Sequence, residues 1–256
     1  ESFEGLLGKQ ASHATPVNGK VLEIRKDVII IQDEKGAHHE VQIYNNYPVN
    51  DTKSVLHSTP LVKVGDTVKA GQTIADTNYS RNGTLALGTN LRVGYIPFKG
   101  YNFEDGIVIS QSAAAKLSSE HLHKDHLQLD RDITVNKRKF QIQHPGLFSR
   151  LQLEKVGDGG IVQVGQKVSP GDPLVLATKP YQLKDRSGLS AIRRSMSGAQ
   201  TDKSMRWDSD FEGEVVDVHH GNDKITVHVR TIEPMQVGDK MAGRYGNKGI
   251  VTKILE

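Results

Sequence analysis

Short runs of β-branched or alternating apolar residues, parted by glycine-rich turns, dominate this chain, and that pattern predicts strands. Residues 21–31 read Val-Leu-Glu-Ile-Arg-Lys-Asp-Val-Ile-Ile-Ile, with a turn-prone Lys26-Asp27 in the middle. Asp33-Glu-Lys-Gly36 predicts a hairpin turn into a strand over 39–43. Further strands are predicted over 91–96, 107–109, 213–218, 225–229 and 249–254. Helical signals are sparse. The best is Ser110 as an N-cap ahead of Gln-Ser-Ala-Ala-Ala-Lys-Leu117.

One pattern repeats. Val62-Lys-Val-Gly65-Asp-Thr-Val68-Lys-Ala-Gly71-Gln72 matches Val162-Gln-Val-Gly165-Gln-Lys-Val168-Ser-Pro-Gly171-Asp172, and Met235-Gln-Val-Gly238-Asp-Lys-Met241 is a weaker third copy. Each reads as strand, glycine turn, short strand, with glycine supplying the positive φ of a tight turn. Such units are turn hardware of β-barrels. The alternative is a lipoyl- or biotinyl-type carrier hairpin, but neither of the first two copies shows the exposed-tip lysine pattern a carrier modifies.

The 256 residues suffice for one large β unit or two modest domains. Hydrophobic content is 36% and aromatic content 5%, lean for a free-standing globule, so partner subunits are expected to supply contact. The net charge of +3 confines any nucleic-acid contact to a local patch. The absence of cysteine excludes disulfides, thiolate metal sites and cysteine nucleophiles, and fits a reducing compartment. No apolar run reaches the roughly 18 residues of a membrane-spanning helix, and no signal peptide is visible. The chain starts at Glu1 rather than Met, so an upstream segment is expected. Residues 181–210 are polar, short of β-branched residues and rich in cations, including Lys184, Arg186, Arg193, Arg194, Lys203 and Arg206. They read as a mobile excursion, either a solvated loop or a contact with nucleic-acid backbone or a partner protein.

Two distant segments carry candidate chemistry. Gly100-Tyr-Asn-Phe-Glu104-Asp105-Gly-Ile-Val-Ile-Ser110 sets two carboxylates before an apolar strand. Carboxylates suit hard cations such as Mg²⁺. Adjacent strand residues face opposite ways, so a bend is needed to bring both near one ligand, and a plain surface acidic pair is the other reading. Gly238-Asp-Lys240-Met-Ala-Gly243-Arg244-Tyr-Gly246-Asn-Lys248-Gly249 threads three cations through glycines. The glycines argue against a helix, and a loop of this kind lets backbone amides and lysines meet phosphates. It is not a Walker sequence. His121-Leu-His123-Lys-Asp-His126 imitates a metal site, but no further ligands are evident and a polar surface segment is expected.

The motifs Asn102-Phe-Glu104-Asp105 and Gly238-Asp-Lys240-Met-Ala-Gly-Arg-Tyr-Gly-Asn-Lys248-Gly resemble the signature pair of the β (second-largest) subunit of multisubunit DNA-dependent RNA polymerases. Gln42-Ile-Tyr-Asn45, Gly83-Thr-Leu-Ala-Leu-Gly88-Thr-Asn90, Gly146-Leu-Phe-Ser-Arg150 and Gly213-Glu-Val-Val-Asp217 resemble further β-subunit stretches, and the resemblance covers most of residues 15–256. It implies a mainly β fold: a double-psi β-barrel interrupted by a flap insertion and preceded by a sandwich-like β module. The module would take residues 1–84, the barrel halves 85–114 and 233–256, and the flap-like insertion 115–232, with its basic excursion near the tip.

The resemblance also implies roles. Lys240 and Lys248 would be the catalytic lysines, facing the RNA 3′ end and the incoming nucleotide phosphates. Arg244 and Asn247 would be secondary substrate or RNA contacts. Glu104 and Asp105 would sit near a second, nucleotide-borne Mg²⁺, reached through water, while the partner β′-like subunit holds the metal in the main. Arg193 and Arg194 are candidates for nucleic-acid backbone contact. The reaction implied is attack of the RNA 3′-hydroxyl on the α-phosphate of a nucleoside triphosphate, with pyrophosphate leaving. Implied partners are the β′-like subunit, the remaining β-subunit segments, DNA template, RNA transcript, nucleoside triphosphates and an initiation factor at the flap, with no membrane. The chain alone would be inactive. A bacterial cytoplasmic setting follows, with a split β subunit of a large bacteriophage as one source. Tyr245 stands where the family has histidine, so it is given no acid–base role. The rival class is a non-enzymatic β-barrel module, either a carrier or a nucleic-acid-binding scaffold.

Overall fold

The glycine-turn repeats set the architecture. In the first copy Gly65 (φ 97°) donates its N–H to the Val21 carbonyl at 2.8 Å, and strand Thr67–Val68 pairs with Lys20 and Gly19. In the second, Gly165 (φ 87°) donates to Val215 at 2.7 Å, and Lys167–Val168 pairs with Glu214 and Gly213. In the third, Gly238 (φ 98°) donates to Val251 at 2.8 Å, and Lys240–Ala242 pairs with Ile250, Gly249 and Lys248. So each copy docks on a Gly-x-Val tripeptide. The valine is buried every time, and the glycine has no room for a Cβ. In the first and third copies an aspartate closes the turn: Asp66 and Asp239 accept the N–H of Lys63 and Gln236 at 2.8 and 2.7 Å. The repeats are turn hardware, as their sequence suggests.

The computed structural model describes residues 2–49, 53–181 and 199–256. The chain is mainly β and divides into two units, Glu1–His121 with Glu233–Glu256, and Leu122–Ile232. In the first unit, strands Gly19–Ile24 and Val28–Asp33 pair antiparallel across the Lys26-Asp27 turn, flanked by His38–Gln42 and Thr67–Val68. Their apolar faces make a core of Val21, Ile29, Ile31, Ile43, Val62, Val68 and Ile74. A second sheet orders Ser12–Ala14, Thr73–Thr77 and Ser58–Pro60. A third joins Gly106–Ser110, Lys248–Leu255 and Lys240–Ala242, with the long strand in the middle. Helix Gln111–Lys116 follows it, capped by the Ser110 hydroxyl, which accepts the Ala113 N–H. Ile109, Ala114 and Val251 form the small core beneath.

The second unit holds a sheet ordered Ser119–Gln128, Lys224–Glu233, Gly213–His220 and Lys167–Val168. Its core centres on Trp207, Leu174, Val175, Val215, Ile225, Val227 and Val229. Asp172 is buried here. It accepts hydrogen bonds from Lys155 Nζ (2.6 Å), the Ser169 N–H (2.9 Å) and Gln152 Nε2 (3.0 Å).

Three expectations need correction. Residues 91–96 form no strand; Val93, Tyr95 and Ile96 are exposed, and among the described residues no strand lies alongside to complete a ladder. The region 181–210 is not all excursion, because Gln200–Asp202 and Met205–Arg206 are strands and Trp207 is buried. Apolar anchors at Met205 and Trp207 offset the polar composition around them. Arg193 and Arg194 lie outside the described residues. Helices at Phe3–Ala11, Lys137–Gln143 and Arg150–Glu154 also form where the sequence reading placed none.

Candidate functional site

The two motifs meet through backbone. Strand Gly106–Ser110 runs parallel to Lys248–Leu255, with Gly106 opposite Ile250. The Ile250 N–H donates to the Asp105 carbonyl at 2.9 Å. Gly249 lies so close that a Cβ there would stand 2.3 Å from the same oxygen. Glycine is required at this position by proximity, not by its φ. The acidic dipeptide is thereby held one step from the strand that begins at Lys248.

The bend that Glu104 and Asp105 need is present. Residues 99–105 run through successive turns, with N–H bonds from Tyr101 to Phe98 (2.9 Å), Phe103 to Gly100 (3.3 Å) and Gly106 to Phe103 (3.0 Å). Glu104 adopts φ 53°, in the left-handed region that a non-glycine residue occupies at a cost of about 1–2 kcal/mol. Strain of this kind persists only where the surroundings over-determine it. The surroundings do so here. Asn102 Oδ1 accepts from the Phe98 N–H (2.9 Å), its Nδ2 donates to Ile96 O (2.5 Å), and Thr252 Oγ1 donates to the Tyr101 carbonyl. Lys253 Nζ sits 4.2 Å from the Tyr101 ring centre. Both carboxylates are left exposed.

The glycine-rich segment is a β-hairpin rather than an open phosphate loop. Lys240 faces Ile250, Met241 faces Gly249 and Ala242 faces Lys248 across it. Period-two alternation sends Met241 into the core and puts Lys240, Lys248 and Ile250 on the solvent face. Lys240 and Lys248 are diagonal neighbours, a relation that sets two residues about 7–8 Å apart with their Cβ atoms somewhat closer. Two like charges so placed attract an anion between them, and among the described residues neither ammonium has an ion-pair partner. Asn247 shapes the tip: its side chain fills the space beside Gly243, and Gly243 N–H donates to the Asn247 carbonyl at 2.6 Å. Arg244 is engaged by Glu4 (3.2 Å). Tyr245 is 93% exposed.

The histidine segment is structural. His121 lies 2.7 Å from Ser119 Oγ, and His123 lies 3.2 Å from Thr231 Oγ1 and stands edge-on to Trp207. Among the described residues no group of three or more His, Cys, Asp or Glu converges as a metal site. No helix of the described residues is long and apolar enough to cross a membrane. The sequence reading missed Gly249 as the contact that joins the motifs, and Glu4 as the partner of Arg244. The first has a signal in hindsight, since Gly249-Ile-Val251 matches Gly19-Lys-Val21 and Gly213-Glu-Val215. The second has none, being an ion pair across the whole chain.

Residues 15–256 match the family described as RNA polymerase Rpb2, domain 6. The chain is 36% identical over 258 residues to a DNA-directed RNA polymerase subunit beta of Treponema denticola, covering 93% of this chain and 22% of that protein. It is 31% identical over 259 residues to the subunit of the same name from Prochlorococcus marinus, covering 94% of this chain and 23% of that protein. A third, from Parasynechococcus marenigrum, is 32% identical over 257 residues, covering 93% and 23%. The chain thus spans less than a quarter of the length of these relatives.

Proposed function

Because the chain belongs to the RNA polymerase Rpb2, domain 6 family, we propose that it supplies the nucleotide- and transcript-facing sheet of a multisubunit DNA-dependent RNA polymerase. The observation that carries this is the Ile250–Asp105 backbone bond, which sets an exposed acidic turn beside a face bearing two lysines that have no ion-pair partner among the described residues. In this reading residues 85–114 and 233–256 are halves of a double-psi β-barrel, 1–84 is a preceding sandwich-like module, and 115–232 is a flap-like insertion. A β′-like subunit, the remaining β-subunit segments, DNA, RNA, nucleoside triphosphates and an initiation factor at the flap are the proposed partners. The chain by itself is inactive.

Lys240 and Lys248 bind the phosphates of the incoming nucleotide and the transcript's 3′ end. Their charge is strongest where the α-phosphate gathers negative charge as the 3′-hydroxyl attacks and pyrophosphate departs. Fixing both ammonium stems on one sheet face removes much of the orientational cost of that encounter. Asn247 maintains the hairpin tip.

Glu104 and Asp105 fit Mg²⁺ in donor type, being exposed hard oxygen ligands on a strained, anchored turn. Two carboxylates leave most of an octahedral shell to fill, so they fit a shared, water-bridged ion whose main ligands come from the partner. When bound, such an ion offsets negative charge on the leaving phosphates. The test is Lys240→Ala and Lys248→Ala in the assembled enzyme. Each is expected to slow nucleotide addition by about 10²–10³, with subunit co-purification intact. Normal elongation by both refutes the proposal.

A further inference from the structure

The strands bearing the two lysines are held by the neighbouring ladder, but the hairpin tip between them is braced within itself and tied outside at one point. Within it, Gly243 N–H donates to the Asn247 carbonyl and Gly246 N–H (φ 86°) donates to the Gly243 carbonyl at 3.3 Å. Among the described residues, the only hydrogen bond or ion pair from residues 243–247 to the rest of the chain is Arg244 Nη1 to Glu4 Oε1, 3.2 Å. It spans 240 positions of sequence.

Glu4 stands on a firm base. It lies in the first turn of helix Phe3–Ala11, where a carboxylate is favoured by the positive end of the helix dipole. Ser2 caps that helix by accepting the Gly5 N–H at 3.1 Å. Gly8 packs against the turn at Gly83 and Thr84 so closely that a Cβ would stand 2.2 Å from the Gly83 carbonyl. At the other end, Ser12 Oγ donates to Gly8 O (2.7 Å) and Thr77 Oγ1 to Ala11 O (2.6 Å). The positive helix terminus would repel a guanidinium on its own. Glu4 is what permits Arg244 to rest there.

We infer that Glu4 is a positioning residue: its carboxylate holds Arg244, and through Arg244 fixes the tip of the hairpin whose strands carry Lys240 and Lys248 to phosphate. The pair also neutralises one of the hairpin's three cations, so that the triphosphate is met by the two sheet-borne lysines and not by a free arginine. This inference rests on the reading of those lysines given above.

The test uses the assembled polymerase with Glu4→Gln, Arg244→Gln, the double variant, Glu4→Asp and the charge exchange Glu4→Arg with Arg244→Glu. Glu4→Gln and Arg244→Gln are each expected to raise the apparent KM for nucleoside triphosphate by about two- to fivefold, the reach of an exposed ion pair, with kcat little changed. The double variant is expected to be no worse than the worse single. Glu4→Asp is expected to recover affinity, and the charge exchange to recover it only in part, because it sets a cation at the positive helix end and an anion near the lysine face. Hydrogen exchange of the amides of 243–247 should quicken in Glu4→Gln, a readout independent of activity. Additive effects, a silent Glu4→Gln, or unaltered exchange in that variant overturn the inference. Lys248→Ala is run alongside. If it is inactive while Glu4→Gln is silent, only the positioning role falls; if it elongates normally, the functional reading falls.

Discussion

Gly249→Ala is the sharpest test of how the site is put together. The added methyl would stand 2.3 Å from the Asp105 carbonyl oxygen, 2.7 Å from Ile107 Cδ1 and 2.9 Å from Ile107 Cγ1. Ordinary contacts lie at about 3.5 Å, so strand Gly106–Ser110 would have to retreat by about 1 Å. The Ile107 tip can rotate away. The Asp105 carbonyl cannot, because the Ile250 N–H holds it at 2.9 Å in the next rung of the same ladder. Overpacking of this kind costs about 1–3 kcal/mol. With a urea dependence of about 1–3 kcal/mol per molar, the unfolding midpoint followed by far-UV circular dichroism should fall by about 1 M. Trp207 is the sole tryptophan and belongs to the other unit, so its fluorescence transition should stay in place. Gly88→Ala, where nothing lies within 4 Å of the new Cβ, is the neutral control. In the assembled enzyme Gly249→Ala should also slow nucleotide addition, because the acidic turn and the lysine face part company. An unchanged midpoint together with unchanged elongation would refute the claim that this contact joins the motifs.

Two further outcomes follow from the same structure. For Asp172, burial pushes the carboxyl pKa up, but the hydrogen bonds from Lys155, Ser169 and Gln152 outweigh it and hold the group below its ordinary value of 3.8. A lowered folded-state pKa means the unfolded chain takes up the proton first, so this stabilisation is complete above the ordinary value and is lost as pH falls through the lower one. Acid titration read by Trp207 fluorescence should therefore be flatter in Asp172→Asn, with neutral-pH stability lower by about 1–3 kcal/mol; an acid limb identical to wild type contradicts this. Asn102→Ala removes the bonds to Phe98 N–H and Ile96 O, and should speed hydrogen exchange over 96–103 while leaving 213–220 unaffected.

Local chemistry was legible in the sequence wherever it was also local in the fold. The Lys26-Asp27 break, the Ser110 cap and the glycine turns all form as their residues suggest, because each is settled by neighbours within a few positions. The capping box at Arg150–Glu154 is equally readable, since Ser149 and Gln152 have the required spacing and bond reciprocally. Residues 91–96 misled because a β-branched, aromatic run looks like a strand whether or not a neighbour exists to pair it. At the site, residue types and spacing singled out two segments that the fold sets side by side through backbone. The glycine spacing does not disclose the hairpin register that puts Lys240 and Lys248 on one face, and the Gly-x-Val tripeptide at Gly249 marks a tight contact without naming Asp105, which lies about 140 residues away, as its partner.

The parallel pairing of Gly106–Ser110 with Lys248–Leu255 has a kinetic corollary. Closing a loop of some 140 residues costs entropy that grows with the logarithm of its length, which delays such a ladder during folding. Strands Ser119–Gln128 and Lys224–Glu233 are adjacent in their own sheet, so once they zip together most of the intervening chain no longer counts toward the closure. The intervening segment can then lengthen or shrink over evolution with little penalty to the assembly of the lysine face, provided that one pair of strands is kept.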